Sequence, residues 1–233
     1  MRKRIVVLTG AGISAESGIP TFRDANGLWE GHDVMEVASP QGWTNNPELV
    51  LDFYNQRRKA AMQVAPNAGH QALVELEKQY EVIIITQNVD NLHEKAGSGK
   101  VIHLHGELFQ SRSTLDETLV YDMDGWELKL GDLCEKGGQL RPNIVWFGEM
   151  VPMMEVAQRE AAQADIFMVI GTSLQVYPAA GLMYEVPPGT PIYIIDPSLP
   201  DFYPQPNITA LAEPATLGVP KLAKQLLSDT EPE

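Results

Sequence analysis

Ile5-Val-Val-Leu8-Thr-Gly10-Ala-Gly12-Ile-Ser14-Ala-Glu-Ser17 is an apolar run that breaks into glycine and resumes as a polar stretch able to open a helix. It reads as a buried strand that ends in a phosphate cradle. Glycines at 10 and 12 let the backbone turn tightly and approach a pyrophosphate with no Cβ in the way. The stretch Ser14-Ala-Glu-Ser17 then presents helix N-terminal amides to the anion. The spacing G-A-G-x-S differs from the dehydrogenase pattern G-x-G-x-x-G, and glycine loops between strand and helix are often plain connectors.

Working outward, similar apolar runs recur at Val82 to Ile85, Phe167 to Ile170 and Ile192 to Ile195, each followed by polar or glycine-containing residues. Helical patterns lie between them, clearest at Pro47 to Met62, His70 to Gln79 and Met154 to Ala164. This alternation predicts an α/β fold with a Rossmann-like, doubly wound parallel sheet. Ligands in such sheets bind beyond the carboxyl ends of the strands. Gly10-Ala-Gly12, Thr86-Gln-Asn-Val-Asp90 and Gly171-Thr-Ser173 occupy those ends and should converge on one crevice. Two stretches fall outside the sheet: a helical insertion from about 30 to 65, and a β-like segment from Ser111 to Leu140. The expected division is a single domain, 1–233, with a large part of 1–30, 66–108 and 143–228 and a smaller inserted module of 31–65 and 109–142.

The 233 residues carry 17 basic and 31 acidic side chains, a net charge of −14. That balance argues against general binding of nucleic acid or anionic membranes; a soluble acidic surface is the plain reading and steering of cationic partners the alternative. No apolar segment approaches the roughly 20 residues that span a bilayer. The lone cysteine, Cys134, excludes an internal disulfide framework and leads to the expectation of a cytoplasmic protein. The acidic end Ser228-Asp-Thr-Glu-Pro-Glu233 reads as a frayed tail.

The polar loop continues as Asn91-Leu-His-Glu-Lys-Ala-Gly97 and is followed by Val101-Ile-His-Leu-His-Gly-Glu-Leu108. With the first glycine segment and Gly171-Thr-Ser173, in this order from Arg4 to about Gln225, these motifs resemble the sirtuin family of NAD-dependent protein-lysine deacylases. The resemblance implies a reaction in which the acyl oxygen of an acyl-lysine attacks the C1′ of NAD's ribose. Its products are nicotinamide, free lysine and 2′-O-acyl-ADP-ribose. It implies NAD and acyl-lysine proteins as partners, and a monomer is the expectation. His105 matches the family's general base, and an imidazole pKa near 6.5 suits that task. Asn88 and Asp90 match the residues that hold the nicotinamide carboxamide, and Gln87 lies by the ribose. The implied NAD site is completed by Gly10, Ala11, Gly12, Ile13, Ser14, Phe22, Arg23, Trp29, Val89, Gly171, Thr172, Ser173, Ile194, Asp196 and Ala215. The loop from Asp24 to Gly31 has the composition of one that closes over ligands.

On the pattern from Pro47 to Met62, Arg57 falls on the apolar stripe of Val50, Phe53, Tyr54 and Ala61. A guanidinium on such a face usually has an anion waiting for it. Tyr54 and Arg57, at i and i+3, can reach one target together. This Tyr-x-x-Arg resembles the signature of the class that removes succinyl, malonyl or glutaryl groups, and Ala25 matches a small residue that leaves room for a longer acyl chain. A core tyrosine beside a surface arginine is the plain alternative. Val145-Trp-Phe-Gly-Glu149 resembles the strand that pairs with the substrate peptide, so Val145, Phe147 and Gly148 join Ala25, Tyr54 and Arg57 as expected substrate contacts.

Two departures stand out. Most sirtuins staple the small module with zinc on four cysteines, and here only Cys134 remains, with Ser113 about where another would be. No metal is therefore expected, and apolar packing by Leu115, Leu119, Tyr121, Trp126 and Leu140 should hold the module. His103 and His105 form an H-x-H pair without a partner set to complete a metal site. The family's Asn-x-Glu after the last strand appears as Ile194-Ile-Asp196, where Asp196 is left to hold a ribose hydroxyl. The competing functions on the same scaffold are an ADP-ribosyltransferase, an NAD hydrolase or an NAD-binding sensor.

Overall fold

The computed structural model describes residues 2–20, 28–29 and 31–229. The chain enters through β1 (Arg4–Thr9), a one-turn helix α1 (Gly12–Ala15) and the short antiparallel pair β2 (Leu28–Trp29) and β3 (His32–Asp33). Four helices follow: α2 (Val34–Val37), α3 (Pro40–Asn45), α4 (Pro47–Ala61) and α5 (Ala68–Leu76). Then come β4 (Glu81–Thr86), α6 (Leu92–Ala96), β5 (Val101–His103), β6 (Gly106–Ser113), β7 (Val120–Asp122) and β8 (Leu140–Ile144). The last part holds α7 (Met154–Ala161), β9 (Ile166–Ile170), a 3₁₀ turn at Ala179–Tyr184, β10 (Ile192–Ile195), β11 (Ile208–Leu211) and α8 (Ala215–Ser228).

Among the described residues, six strands form one parallel sheet in the order β11-β10-β9-β1-β4-β5. The apolar runs are continuous because both faces are covered. Ile5 and Val7 pack against α5 and α8, whereas Val6 and Leu8 face the cluster that includes Ala157 and Ala161 of α7. The chain leaves β1 to build the β4 side and returns to lay β9 on the other flank. The carboxyl ends of β1 and β9 therefore open a crevice where the strand order reverses, the place where such sheets bind ligands.

The inserted helices and a three-stranded antiparallel sheet, β7-β6-β8, meet in a third core of Val37, Val50, Phe53, Tyr54, Leu108, Ile144 and Trp146. α4 begins where the sequence directs it: the Asn46 side chain accepts the Leu49 amide at 3.1 Å and Pro47 occupies the first turn. On this helix Arg58 is fully buried. Its Nε donates to the Trp126 carbonyl at 2.7 Å, Nη1 to the Leu108 carbonyl at 3.2 Å and Nη2 to Asn55 Oδ1 at 2.5 Å. Asn55 also exchanges hydrogen bonds with the backbone of Leu128. Burial brings the Arg58 pKa down to about 10, so the group stays charged at neutral pH.

These contacts correct the expected packing of the module. Leu115 is 68% exposed, and Leu119, Tyr121, Trp126 and Leu140 are partly buried but join none of the three cores. Cys134 donates its thiol to Ser113 Oγ at 3.2 Å and accepts the Gly138 amide, while Ser113 Oγ also takes the amides of Leu115 and Asp116. Polar knots and the Arg58 anchor thus take the place assigned to apolar side chains. One thiol beside a hydroxyl does not fit a four-thiolate zinc site, and among the described residues no cluster of His, Cys, Asp or Glu is placed to hold a metal. No described helix is long and apolar enough to cross a membrane.

Candidate active site at the sheet switch point

The crevice is a cavity of about 580 Å³ that runs from the carboxyl ends of β1, β4 and β9 to α4 and the segment after β8. Its floor requires glycine. A Cβ on Gly12 would lie 2.6 Å from the Gly171 Cα, and Gly171 itself holds a φ of +63°, where side chains are strained. The helix expected to open at Ser14 is instead the single turn Gly12–Ala15, because the tight approach to Gly171 starts the turn two residues earlier. Asn67 locks this turn to α5, donating to the Ile13 carbonyl and to Ser17 Oγ. The amides of Ala11, Thr172 and Ser173 donate to no described residue. All three residues line the cavity, so the row of amides is suited to a pyrophosphate.

The β4 end supplies the polar core of the site. Asn88 and Asp90 are buried and line the cavity. Asn88 Nδ2 donates to the Gly10 carbonyl at 3.1 Å and to Ser14 Oγ at 3.2 Å, which fixes the amide and leaves Oδ1 toward an incoming donor. Asp90 accepts the Leu92 amide at 3.0 Å; burial raises its pKa, opposed by that amide and by Ser14. Gln87 spans the crevice to Thr172 Oγ1 at 3.1 Å.

His105 follows β5 and faces the same cavity. Its Nδ1 lies 3.0 Å from the Gln87 carbonyl, which can only accept, so Nδ1 carries the proton and Nε2 keeps the lone pair. Burial lowers its pKa and holds the ring neutral. His103 is different. Both its nitrogens face acceptors, the Asn88 carbonyl at 3.0 Å and Glu94 Oε1 at 2.8 Å, a setting that favours the doubly protonated ring. Burial lowers its pKa, but Glu94, the Asn88 carbonyl and Glu107 together outweigh burial and the net shift is upward. The two histidines of the H-x-H pair thus sit in different surroundings, His103 between two acceptors and His105 with one ring nitrogen left for the cavity.

Sequence reasoning missed the layer behind these groups. His93 Nε2 meets Thr9 Oγ1 at 3.1 Å, Thr9 donates to Thr86 Oγ1 at 2.8 Å, and Thr86 accepts the Asn88 amide at 3.0 Å. His70 packs against His93 with ring centroids 4.9 Å apart. Burial holds the His70 pKa down to about 4 and that of His93 well below the ordinary value. Between pH 4 and 6.5 the unfolded chain binds protons that the folded chain refuses, so stability rises with pH through that window. His70 alone accounts for about 2 kcal/mol lost at pH 5 relative to pH 7. His103, with its raised pKa, acts in the opposite sense. The urea midpoint is expected to fall from pH 7 to pH 5, and His70→Gln to flatten that slope; a slope unchanged in the variant contradicts the assignment.

At the far wall, Tyr54 and Arg57 line the cavity from α4. Both are buried, which disposes of the surface-arginine alternative. The Arg57 guanidinium lies 4.2 Å above the Trp29 ring and 5.5 Å from Phe53. Tyr54 Oη accepts the Trp146 indole N–H at 3.1 Å, and burial pushes its pKa up to about 12.

Several expected positions differ. Ile13, Ile194 and Ala215 do not line the cavity; their side chains belong to the cores on either face of the sheet, as a full strand or helix interior demands. Pro214, just before α8, lines the cavity instead. Asp196 is buried at the cavity wall and bound to the Ser198 amide at 2.8 Å. Residues 145–149 are not a strand. β8 ends at Ile144 because the Val145 and Phe147 amides already serve the His105 and Ala38 carbonyls, and a turn follows. Val145, Phe147 and Gly148 nevertheless line the cavity, as do Val89 and Trp29. Phe22, Arg23 and Ala25, and the closing loop from Asp24 to Gly31 apart from Leu28, Trp29 and Gly31, lie outside the described residues.

Comparison with known proteins places the chain in a family. Residues 10–178 match the model of the Sir2 family. An NAD-dependent protein deacylase of Helicobacter pylori (strain ATCC 700392 / 26695) is 55% identical over 227 residues, covering 97% of this chain and 98% of its own. One of Bacteroides thetaiotaomicron, with the same description, is 53% identical over 230 residues and covers 97% and 98%. Among solved structures, a Sir2 homolog–NAD complex superposes with a TM-score of 0.88 at 40% identity, covering 99% of this chain and 91% of that one. Sir2 bound to an acetylated peptide gives 0.76 at 30%, covering 98% and 93%. With a family model matched over most of the chain and relatives more than half identical along nearly all of it, this chain belongs to the Sir2 family.

Proposed function

We propose that this chain is an NAD-dependent protein-lysine deacylase whose acyl pocket takes acidic groups such as succinyl or malonyl. The deacylase activity rests on the family and on the residues of the switch-point crevice. Bound NAD would supply the ribose C1′ as the electrophile, which would bond to the acyl oxygen of the substrate lysine as nicotinamide leaves. The amides of Ala11, Thr172 and Ser173 cradle the pyrophosphate, and Gln87 and Asp196 stand where ribose hydroxyls would be held. Asn88 Oδ1 and the Asp90 carboxylate take the amide protons of the carboxamide and fix the orientation of the leaving group. His105 Nε2 removes a proton from a ribose hydroxyl, its Nδ1–H steadied by the Gln87 carbonyl. The segment at Val145 to Gly148 borders the cavity where an extended peptide would lie; its Val145, Trp146 and Phe147 amides are committed within the chain, so it would meet a peptide through the Val145 carbonyl and the Gly148 amide, main-chain contacts that read little sequence. The charge of −14 suits lysine-rich targets.

The preference for acidic acyl groups is carried by one observation: a buried cation, Arg57, and a phenol, Tyr54, line the same wall of the cavity one helical turn apart. A carboxylate at the end of an acyl chain would receive charge-assisted hydrogen bonds from both. Acetyl offers them nothing. Matched acetyl-lysine and succinyl-lysine peptides, assayed for nicotinamide release, should give a succinyl-to-acetyl ratio of kcat/KM that falls at least about tenfold in Arg57→Met. A ratio that favours acetyl in the wild type and does not move in the variant would make Arg57 structural.

A further inference from the structure

We propose that Trp146 is a specificity-determining positioning residue, which aims the Tyr54 hydroxyl proton at the carboxylate of an acidic acyl group. The inference rests on the acidic-acyl reading of the pocket. An indole N–H can only donate, so its 3.1 Å contact commits one lone pair of Tyr54 Oη and turns the phenol proton away from the indole. Among the described residues no group accepts that proton. The phenol, pushed up to about 12 by burial, keeps it throughout the neutral range. A buried donor without a partner on the cavity wall is completed by a ligand that accepts, and a carboxylate beside Arg57 is such a ligand.

Trp146 is itself held from three sides. The Arg141 guanidinium lies 3.3 Å over its ring, and the Trp43 ring centroid lies 5.9 Å away. Glu149 accepts the Trp146 backbone amide at 2.8 Å, and its carboxylate also binds Arg141 at 2.7 and 3.1 Å and Arg112 at 3.1 Å. The ion cluster fixes both backbone and ring, so the indole donor has one direction, toward α4. Selectivity is thus set in part by a residue that offers the acyl group no hydrogen bond of its own.

The test compares kcat/KM for acetyl-lysine and succinyl-lysine peptides of one sequence in wild type, Trp146→Phe, Tyr54→Phe and the double variant. In Trp146→Phe the succinyl-to-acetyl ratio is expected to fall about fivefold, through KM for the succinyl peptide. In a Tyr54→Phe background the same change should cost the ratio nothing further, because the donor it positions is gone. Site-specific Trp146→benzothienylalanine keeps the ring shape, removes only the N–H and should reproduce the fall even if Trp146→Phe folds poorly. Equal losses on both peptides, or losses that multiply in the double variant, overturn the assignment and make Trp146 a packing residue. A ratio that falls in Arg57→Met but not in the Trp146 variants overturns this inference alone. A wild type that favours acetyl and ignores Arg57→Met overturns the acidic-acyl reading and this inference with it.

Discussion

His105→Ala is expected to lower kcat for NAD-dependent deacylation by about a thousandfold, within the range that positioned general bases supply. NAD binding, followed by calorimetry, should persist, because the pyrophosphate amides and the Asn88–Asp90 pair lie on other loops. The pH profile carries a second sign. Burial holds the His105 pKa below its ordinary value, so the acid limb of kcat/KM should lie below about pH 6.5. A protein that acts only as an NAD sensor would show no turnover to lose and would keep its binding and output in this variant. Residual turnover within about tenfold of wild type would contradict the role of His105 as base.

Arg58→Met is expected to destabilise the fold by about 3–5 kcal/mol, the largest stability loss argued for any single side chain here. The variant removes a buried cation and leaves the Trp126 and Leu108 carbonyls without their arginine donor, while Asn55 Oδ1 keeps only the Leu128 amide. Methionine fills much of the same volume, so the loss reports the hydrogen bonds more than a cavity. The consequence is local before it is global. The 126–128 loop would come loose from α4, and the module that carries Tyr54 and Arg57 would lose its anchor. Urea unfolding checks the prediction, and a midpoint unchanged in Arg58→Met would show that the module is held by something else.

The fold was largely legible because the strands of a sheet covered on both faces are unbroken apolar runs, and Val82 to Ile85 or Ile192 to Ile195 admit few other readings. The polar residues just after those runs marked the crevice for the same reason: topology places strand ends together. What escaped was long-range. Adjacent arginines at 57 and 58 look alike in sequence, and only the 126–128 loop, some seventy residues on, decides that Arg58 is an anchor. The Trp146–Tyr54 contact joins positions 92 residues apart and has no local signal. Leu115 and its neighbours were assigned to a core on hydrophobicity alone, but a three-stranded sheet at the edge of a domain leaves one face to water. One signal was available and went unused: His70 sits three residues after Asn67, the spacing of a helix capping box, which marks it as a structural histidine.

The most direct test of the account measures nicotinamide and deacylated lysine together, in one reaction, with and without an acyl-lysine peptide. The account predicts equal amounts of the two products, both dependent on the peptide and on His105, and more of each from the succinylated than the acetylated peptide. Nicotinamide released at the same rate without peptide, or in excess over free lysine, would contradict it and identify the crevice as that of an NAD hydrolase or ADP-ribosyltransferase.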